Sequence, residues 1–173
     1  LAIVSPVPPQ ASGIADYSAE LASALGRRAE GEIFVERGVA PSPGFSRFPV
    51  HEVRRLAERC ETAGFDAVLH QMGASTYHVF VEKALRAVPG VVTFHDLVWG
   101  RVPYHLARTR SEQADFRRDL ERLEGREALE EFRQLLARGG EEEALDDFFR
   151  RHPMIGDIVR ASRATGFVPS PEL

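Results

Sequence analysis

Residues 65–95 read FDAVLHQMGASTYHVFVEKALRAVPGVVTFH and carry the clearest structural signal in the chain. The stretch FDAVLHQM at 65–72 predicts a strand, and after a short turn the spacing predicts a helix over 77–87. Pro89-Gly90 ends that helix, and VVTFH at 91–95 predicts a second strand. A strand, a helix and a second strand make up the unit from which parallel sheets are built.

The sequence before this unit shows the same alternation. Residues 1–5 (LAIVS) and 32–36 (EIFVE) predict strands, and a helix that starts at Gly13, with Ser12 as its N-cap, separates them. Residues 50–63 have apolar side chains at helical spacing and predict a further helix. The strands scarcely alternate between polar and apolar residues, which is typical of sheets covered on both faces. We therefore predict an α/β fold, a Rossmann-like parallel sheet with helices on both faces.

The chain changes character after Trp99. Residues 105–151 are dense in Arg and Glu and have apolar residues at helical spacing, which predicts two or three amphipathic helices. We interpret residues 101–151, approximately, as a helical insertion into one Rossmann-like domain that covers residues 1–173. The sequence then predicts a helix over 153–163 and a last strand at 164–170 (ATGFVPS).

Composition excludes several classes of function. The chain has 22 basic and 26 acidic residues, a net charge of −4, which argues against nucleic-acid binding. Its single cysteine, Cys60, cannot form an internal disulfide, and no apolar run approaches the roughly 18 residues of a membrane span. No GxSxG, HExxH, DxD or paired-cysteine motif is present, so we expect no metal site.

Three loops follow the carboxyl ends of predicted strands, at residues 5–13, 72–78 and 95–100. Ligands of open parallel sheets bind beyond these ends. The first loop brings Ser12 and Gly13 to a helix N-terminus, where free N–H groups attract anions and a glycine lets the backbone approach a ligand. The alternative is a tight turn with a serine cap.

The other two loops offer polar and aromatic side chains. The second contains Gly73 and Ser75, and Ser75 is equally explained as a plain N-cap of the next helix. The third begins with His95-Asp96, which could orient a substrate hydroxyl or act in acid–base catalysis. The alternative is a loop histidine whose neighbour, Asp96, caps the next helix. Trp99 could stack on a sugar ring or belong to the core.

These loops together resemble a known family. SPVPPQASGIADYS at 5–18 is similar to the SPLPP…SGIADYS signature of bacterial retaining glycosyltransferases of family four. LHQMGASTYHVF at 69–80 and PGVVTFHDLV at 89–98 resemble that family's YQLGNSxxH and PGVVVLHDLxLH segments. GFVPS at 166–170 resembles the strand and serine that end the family's first domain.

The resemblance implies a GT-B enzyme, in which two Rossmann-like domains face each other across a cleft. This chain would be the acceptor-binding domain, and the donor-binding domain would lie outside it. The co-substrate would be a nucleotide-sugar, and the acceptor a glycan or a lipid-linked sugar. The family needs neither a metal nor another cofactor. The resemblance further implies a cytoplasmic location, which includes the inner face of the membrane. The amphipathic helices could make peripheral contact there.

The resemblance also implies roles for individual residues. Ser12 and Gly13 would lie near the donor phosphates and the acceptor, and His95 would contact the transferred sugar at the reaction centre. Asp96 would orient the His95 loop. Gly73 and Ser75 would line the cleft.

The chain departs from the family pattern at two positions. Ala74 stands where the family has Asn, and Gly100 stands where it has a second His. Two alternatives therefore stay open. The chain could be a non-catalytic binding module of the same fold, or half of a sugar-nucleotide epimerase.

Overall fold

A six-stranded, all-parallel sheet forms the centre of the computed structural model, which describes residues 1–43, 45 and 47–167. The sheet order is β3-β2-β1-β4-β5-β6. The strands are β1 Ala2–Val4, β2 Glu32–Val35, β3 Val50–Glu52, β4 Val68–Met72, β5 Val91–Phe94 and β6 Ala164–Phe167. The predicted α/β class, a Rossmann-like parallel sheet with helices around it, is confirmed.

Eight α-helices connect or follow these strands in the described part of the chain. They are α1 Gly13–Leu25, α2 Leu56–Ala63, α3 Val79–Ala87, α4 Arg101–Leu106, α5 Arg110–Glu124, α6 Arg126–Ala137, α7 Glu142–Arg151 and α8 Gly156–Ala161. The chain runs from β1 towards one sheet edge through α1, and from β4 towards the other edge through α3. Right-handed crossovers in opposite directions place these two helices on opposite faces. The topological switch point therefore lies between β1 and β4.

The helix predicted over 50–63 is wrong in its first half. Val50–Glu52 forms the edge strand β3, a 3₁₀ turn follows at Val53–Arg55, and only Leu56–Ala63 is α-helical. β3 pairs with β2, and His51 Nε2 lies 3.2 Å from a carboxylate oxygen of Glu32. Pairing with a distant strand has overridden the local helical spacing.

Other predicted elements hold with shifted ends. The strand predicted at 65–72 begins at Val68, and the helix predicted at 77–87 begins with a 3₁₀ turn at Thr76–His78 before α3. The helix predicted at 153–163 is limited to α8. In the strand predicted at 164–170, residues 164–167 form β6, and 168–170 lie outside the described residues.

The start of α1 agrees with the sequence. Ser12 is the N-cap, and its hydroxyl oxygen accepts a hydrogen bond from Ile14 N at 3.3 Å. One turn later, the buried Ser18 hydroxyl lies 2.6 Å from that of Ser5, directly after β1. The first contact caps α1, and the second ties α1 to the carboxyl end of β1.

The chain divides into two compact units, Leu1–His95 with the described residues from Ile158 onward, and Asp96–Asp157. The first unit contains the sheet. The second contains the predicted helical insertion, and its apolar stripes pack into one core. That core includes Phe116, Leu120, Leu129, Phe132, Leu145, Phe148, Phe149 and Met154. The apolar faces that could have met a membrane are therefore largely used inside this unit, and no helix among the described residues is both long and apolar enough to span one.

Candidate functional site

The candidate site lies in the first unit, at the carboxyl edge of the sheet beside the switch point. Gly73 follows β4 there and lies against the first turn of α1. A Cβ atom on Gly73 would overlap Ile14 Cδ1 and would lie 3.0 Å from His78 Cε1. Gly73 is therefore required by packing, because it lets α1 and the His78 imidazole close over the end of β4.

His95, directly after β5, is held at three points. Its backbone N–H donates to the carbonyl of Met72 at 2.8 Å, and its Nε2 lies 2.6 Å from Oε1 of Gln71. The ring of Tyr17, on α1, meets the imidazole edge-to-face with centroids 4.6 Å apart. His95 is half-buried, and burial lowers the pKa of its imidazole. The imidazole is therefore neutral at pH 7.

Ser75 does not act as the plain N-cap that was the alternative. Its hydroxyl instead lies 2.9 Å from Nδ1 of His78, and its side chain caps no backbone N–H. His78 is buried, and its Nε2 has no hydrogen-bond partner among the residues that the structure describes. Burial lowers the pKa of His78 to about 4. The hydrogen bond between His78 and Ser75 acts against this shift, and the positive charge of a protonated His95 adds to it.

Gln71 lies at the centre of the site and was not among the residues predicted for it. Gln71 is fully buried in β4, and within the described part of the chain its Nε2 has no hydrogen-bond partner. The signal was available, since His70 and Gln71 are two polar residues inside an otherwise apolar strand. Alternation along β4 directs Gln71 to the same face as Gly73 and directs His70 to the opposite face.

The first loop brings Ser12 and Gly13 to the same edge. Gly13 is exposed at the first position of α1, and a Cβ atom there would meet nothing within 4 Å. Gly13 also has no positive φ angle. The fold of the described residues therefore does not require glycine at this position, whereas it does at Gly73.

We expect the substitution Gly13→Ala to stabilise the chain by about 0.5 kcal/mol, because alanine loses less backbone entropy on folding and meets no neighbour here. Urea denaturation at pH 8 measures the change. Gly73→Ala is the matched control at the same edge, and its Cβ atom should destabilise the chain. A loss of stability in Gly13→Ala would show that the fold itself needs this glycine.

Asp96 and Trp99 belong to the second unit. Asp96 is exposed, and its carboxylate accepts a hydrogen bond from Val98 N at 2.8 Å within its own loop. Trp99 is half-buried, and its carbonyl accepts from Val102 N at 2.9 Å. Among the residues predicted for the site, Ser12, Gly13, Gly73, Ser75 and His95 lie at one edge of the first unit.

A cleft of about 970 Å³ lies at the other edge of the sheet, at the amino ends of the strands. Its lining mixes Glu30, Arg47 and Asp66 with apolar residues. Neither of the unpartnered nitrogens of Gln71 and His78 lies in that lining, and ligands of open parallel sheets bind at the opposite edge. Within the described residues, no group of three or more His, Cys, Asp or Glu side chains could hold a metal ion.

Comparison with known proteins assigns no family to this geometry. The chain matches no protein-family profile, no curated protein and no solved structure. Any functional proposal therefore depends on the carboxyl-edge site and on the residues that carry the resemblance.

Proposed function

We propose that this chain is the acceptor-binding domain of a retaining glycosyltransferase that uses a nucleotide-sugar donor. One observation supports the proposal above all. Three of the four segments that resemble family four are separated in sequence, and their distinctive residues, Ser12-Gly13, Gly73–His78 and His95, gather at one edge of one sheet. That edge is where ligands of this fold class bind.

In the proposed reaction, the bond between the anomeric carbon and the donor diphosphate breaks while an acceptor oxygen forms a bond on the same face of the sugar. The acceptor proton passes to the departing phosphate oxygen, so no protein nucleophile is needed. His95, neutral and fixed by Gln71 and Tyr17, would hydrogen-bond the transferred sugar. The open surface at Gly13 would admit substrate next to the α1 backbone. Residues that bind the nucleotide would come from a second domain outside this chain.

The proposed reaction also implies a location in the cell and a class of acceptor. Nucleotide-sugars are cytoplasmic substrates, so the protein would act in the cytoplasm, at the inner face of the membrane if its acceptor is lipid-linked. We propose a glycan or lipid-linked sugar as the acceptor and no cofactor besides the nucleotide-sugar.

The test is sugar transfer by the polypeptide produced from its own gene, assayed with a panel of nucleotide-sugars and acceptors. We expect His95→Ala to lower the transfer rate by at least about 100-fold, the usual effect of removing a polar group that acts at a reaction centre. His105→Ala, an exposed histidine of the second unit, is the control and should transfer normally.

The same assay separates the alternatives. Sugar binding without transfer would favour the non-catalytic module, and conversion of the nucleotide-sugar without any acceptor would favour the epimerase. An unchanged transfer rate in His95→Ala would remove this histidine from the reaction centre.

A further inference from the structure

We infer that Gln71 is a positioning residue that fixes the ring orientation and tautomer of His95, so that His95 presents its Nδ1 lone pair to a ligand hydroxyl. The identity of the ligand, a neutral sugar hydroxyl, rests on the proposed function. The orientation and tautomer of His95 do not, and they can be tested without any substrate.

The geometry determines which ring nitrogen carries the proton. Nε2 of His95 lies 2.6 Å from Oε1 of Gln71, and an amide oxygen only accepts hydrogen bonds. Nε2 therefore bears the hydrogen. The opposite amide orientation would place two nitrogens 2.6 Å apart; this distance is at the short end even for an N–H···O bond, so it favours the smaller oxygen as the partner of Nε2. Nδ1 is then the unprotonated nitrogen and carries the lone pair.

The position of Gln71 makes this arrangement rigid. Gln71 is fully buried on the central strand β4, and His95 begins the loop after the neighbouring strand β5. The backbone hydrogen bond from His95 N to Met72 O holds the main chain, and Tyr17 packs against the ring. Rotation of the imidazole would break the hydrogen bond to Gln71 and the ring contact together.

The cost of keeping Gln71 supports a positioning role. Its buried amide nitrogen has no hydrogen-bond partner among the described residues, and leaving such a group unpaired destabilises a folded protein. A methionine of similar length would fill the same space without that cost. The hydrogen bond to His95 is the contact in the described structure that a methionine could not make.

The electrostatics of the site favour a neutral ligand group over an anion. Burial lowers the pKa of both His95 and His78, so neither imidazole offers a positive charge near pH 7. Asp16, in the first turn of α1, adds a negative charge at the helix end that would otherwise attract an anion. A lone pair on Nδ1 accepts a hydrogen bond from a hydroxyl, whereas phosphate and carboxylate oxygens need donors.

Nitrogen-15 NMR of this chain tests the inference, because protonated and unprotonated ring nitrogens give well-separated signals. We expect His95 to carry its proton on Nε2, with that proton protected from exchange. Two other histidines serve as internal references. His70 Nε2 lies 3.0 Å from the carbonyl of Val88 and must donate, whereas His105 Nε2 accepts from Arg101 and must be unprotonated.

Two variants complete the test. Gln71→Met should fold but lose the protected Nε2 proton of His95. Gln71→Glu places a carboxylate beside the ring and should raise the pKa of His95 by at least about one unit, a tenfold change in proton affinity. A proton on Nδ1 of His95 in the wild-type chain, or an Nε2 proton that stays protected in Gln71→Met, would overturn the inference.

Transfer assays then address the ligand. If the proposed function is correct, Gln71→Met should lower kcat by about tenfold and change KM little, because the ring remains but is no longer oriented. If the wild-type protein transfers no sugar, the proposed function fails while the NMR result still decides whether Gln71 positions His95. An unchanged kcat together with a lost Nε2 proton would overturn the sugar-hydroxyl assignment only.

Discussion

Acidification from pH 8 to pH 5 is expected to lower the free energy of unfolding by about 4 kcal/mol, through two buried histidines. His70 is buried within β4, and His78 is buried beside the carboxyl end of that strand. Burial lowers the pKa of each histidine to about 4. Unfolded histidine has a pKa of about 6.5. Between pH 6.5 and 4 the unfolded chain therefore binds more protons than the folded chain, and stability falls with falling pH.

The size of the effect follows from these values. Each histidine contributes about 2 kcal/mol at pH 5 and about 3 kcal/mol below pH 4, where the contribution stops growing. Domains of this size are typically stable by about 5–15 kcal/mol, so the chain should approach acid unfolding in this range. The pKa of His95 is also lowered by burial, so its protonation likewise reduces the free energy of unfolding as the pH falls.

Urea denaturation at pH 8 and pH 5 measures the effect. His70→Gln is the most direct variant, because the amide nitrogen of glutamine can take the place of the histidine Nε2 that faces the carbonyl oxygen of Val88. His70 also points away from the candidate site, so the substitution should leave that site intact. We expect this variant to recover about half of the stability lost at pH 5. His105→Gln, at an exposed position, should keep most of the wild-type pH dependence. Full pH dependence in His70→Gln would contradict a neutral, buried His70.

A methyl group on Gly90 is expected to destabilise the chain by about 3 kcal/mol or more. Gly90 lies directly before β5, and the Cβ atom of Gly90→Ala would overlap the carbonyl oxygen of Val68 and lie 3.0 Å from its carbonyl carbon. These are backbone atoms of β4 and cannot rotate away. The carbonyl of Gly90 also accepts a hydrogen bond from Arg163 N at 2.8 Å, so relief by moving β5 would disturb β6 as well.

Gly166→Ala is the matched control for this substitution. Gly166 is a strand glycine in β6, and its Cβ atom would meet no atom of the described residues within 4 Å. It should leave stability unchanged or raise it by about 0.5 kcal/mol. Urea denaturation of both variants at pH 8 makes the comparison, and equal stabilities would contradict the close approach of β4 and β5 at Gly90.

The local elements were largely predictable from the sequence. Ser12 is the N-cap that the sequence predicts, and the amphipathic helices predicted within residues 105–151 are present; the sequence did not show that their apolar stripes pack against one another. Such signals depend on residues within one or two helical turns. β3 was mistaken for helix because its three residues are stabilised by pairing with β2, which local spacing does not report.

The sequence by itself determined the alternation of strands and helices, and it placed Ser12, Gly13, Gly73, Ser75 and His95 in loops at the carboxyl ends of strands. Hydrophobic periodicity, caps and turn residues act locally, so they can be read along the chain. Only the tertiary structure decided that Gln71 bonds His95 across 24 residues, and that Gly73 lets His78 and α1 close over β4. These contacts depend on strand order and register, which set which side chains share a face of the sheet.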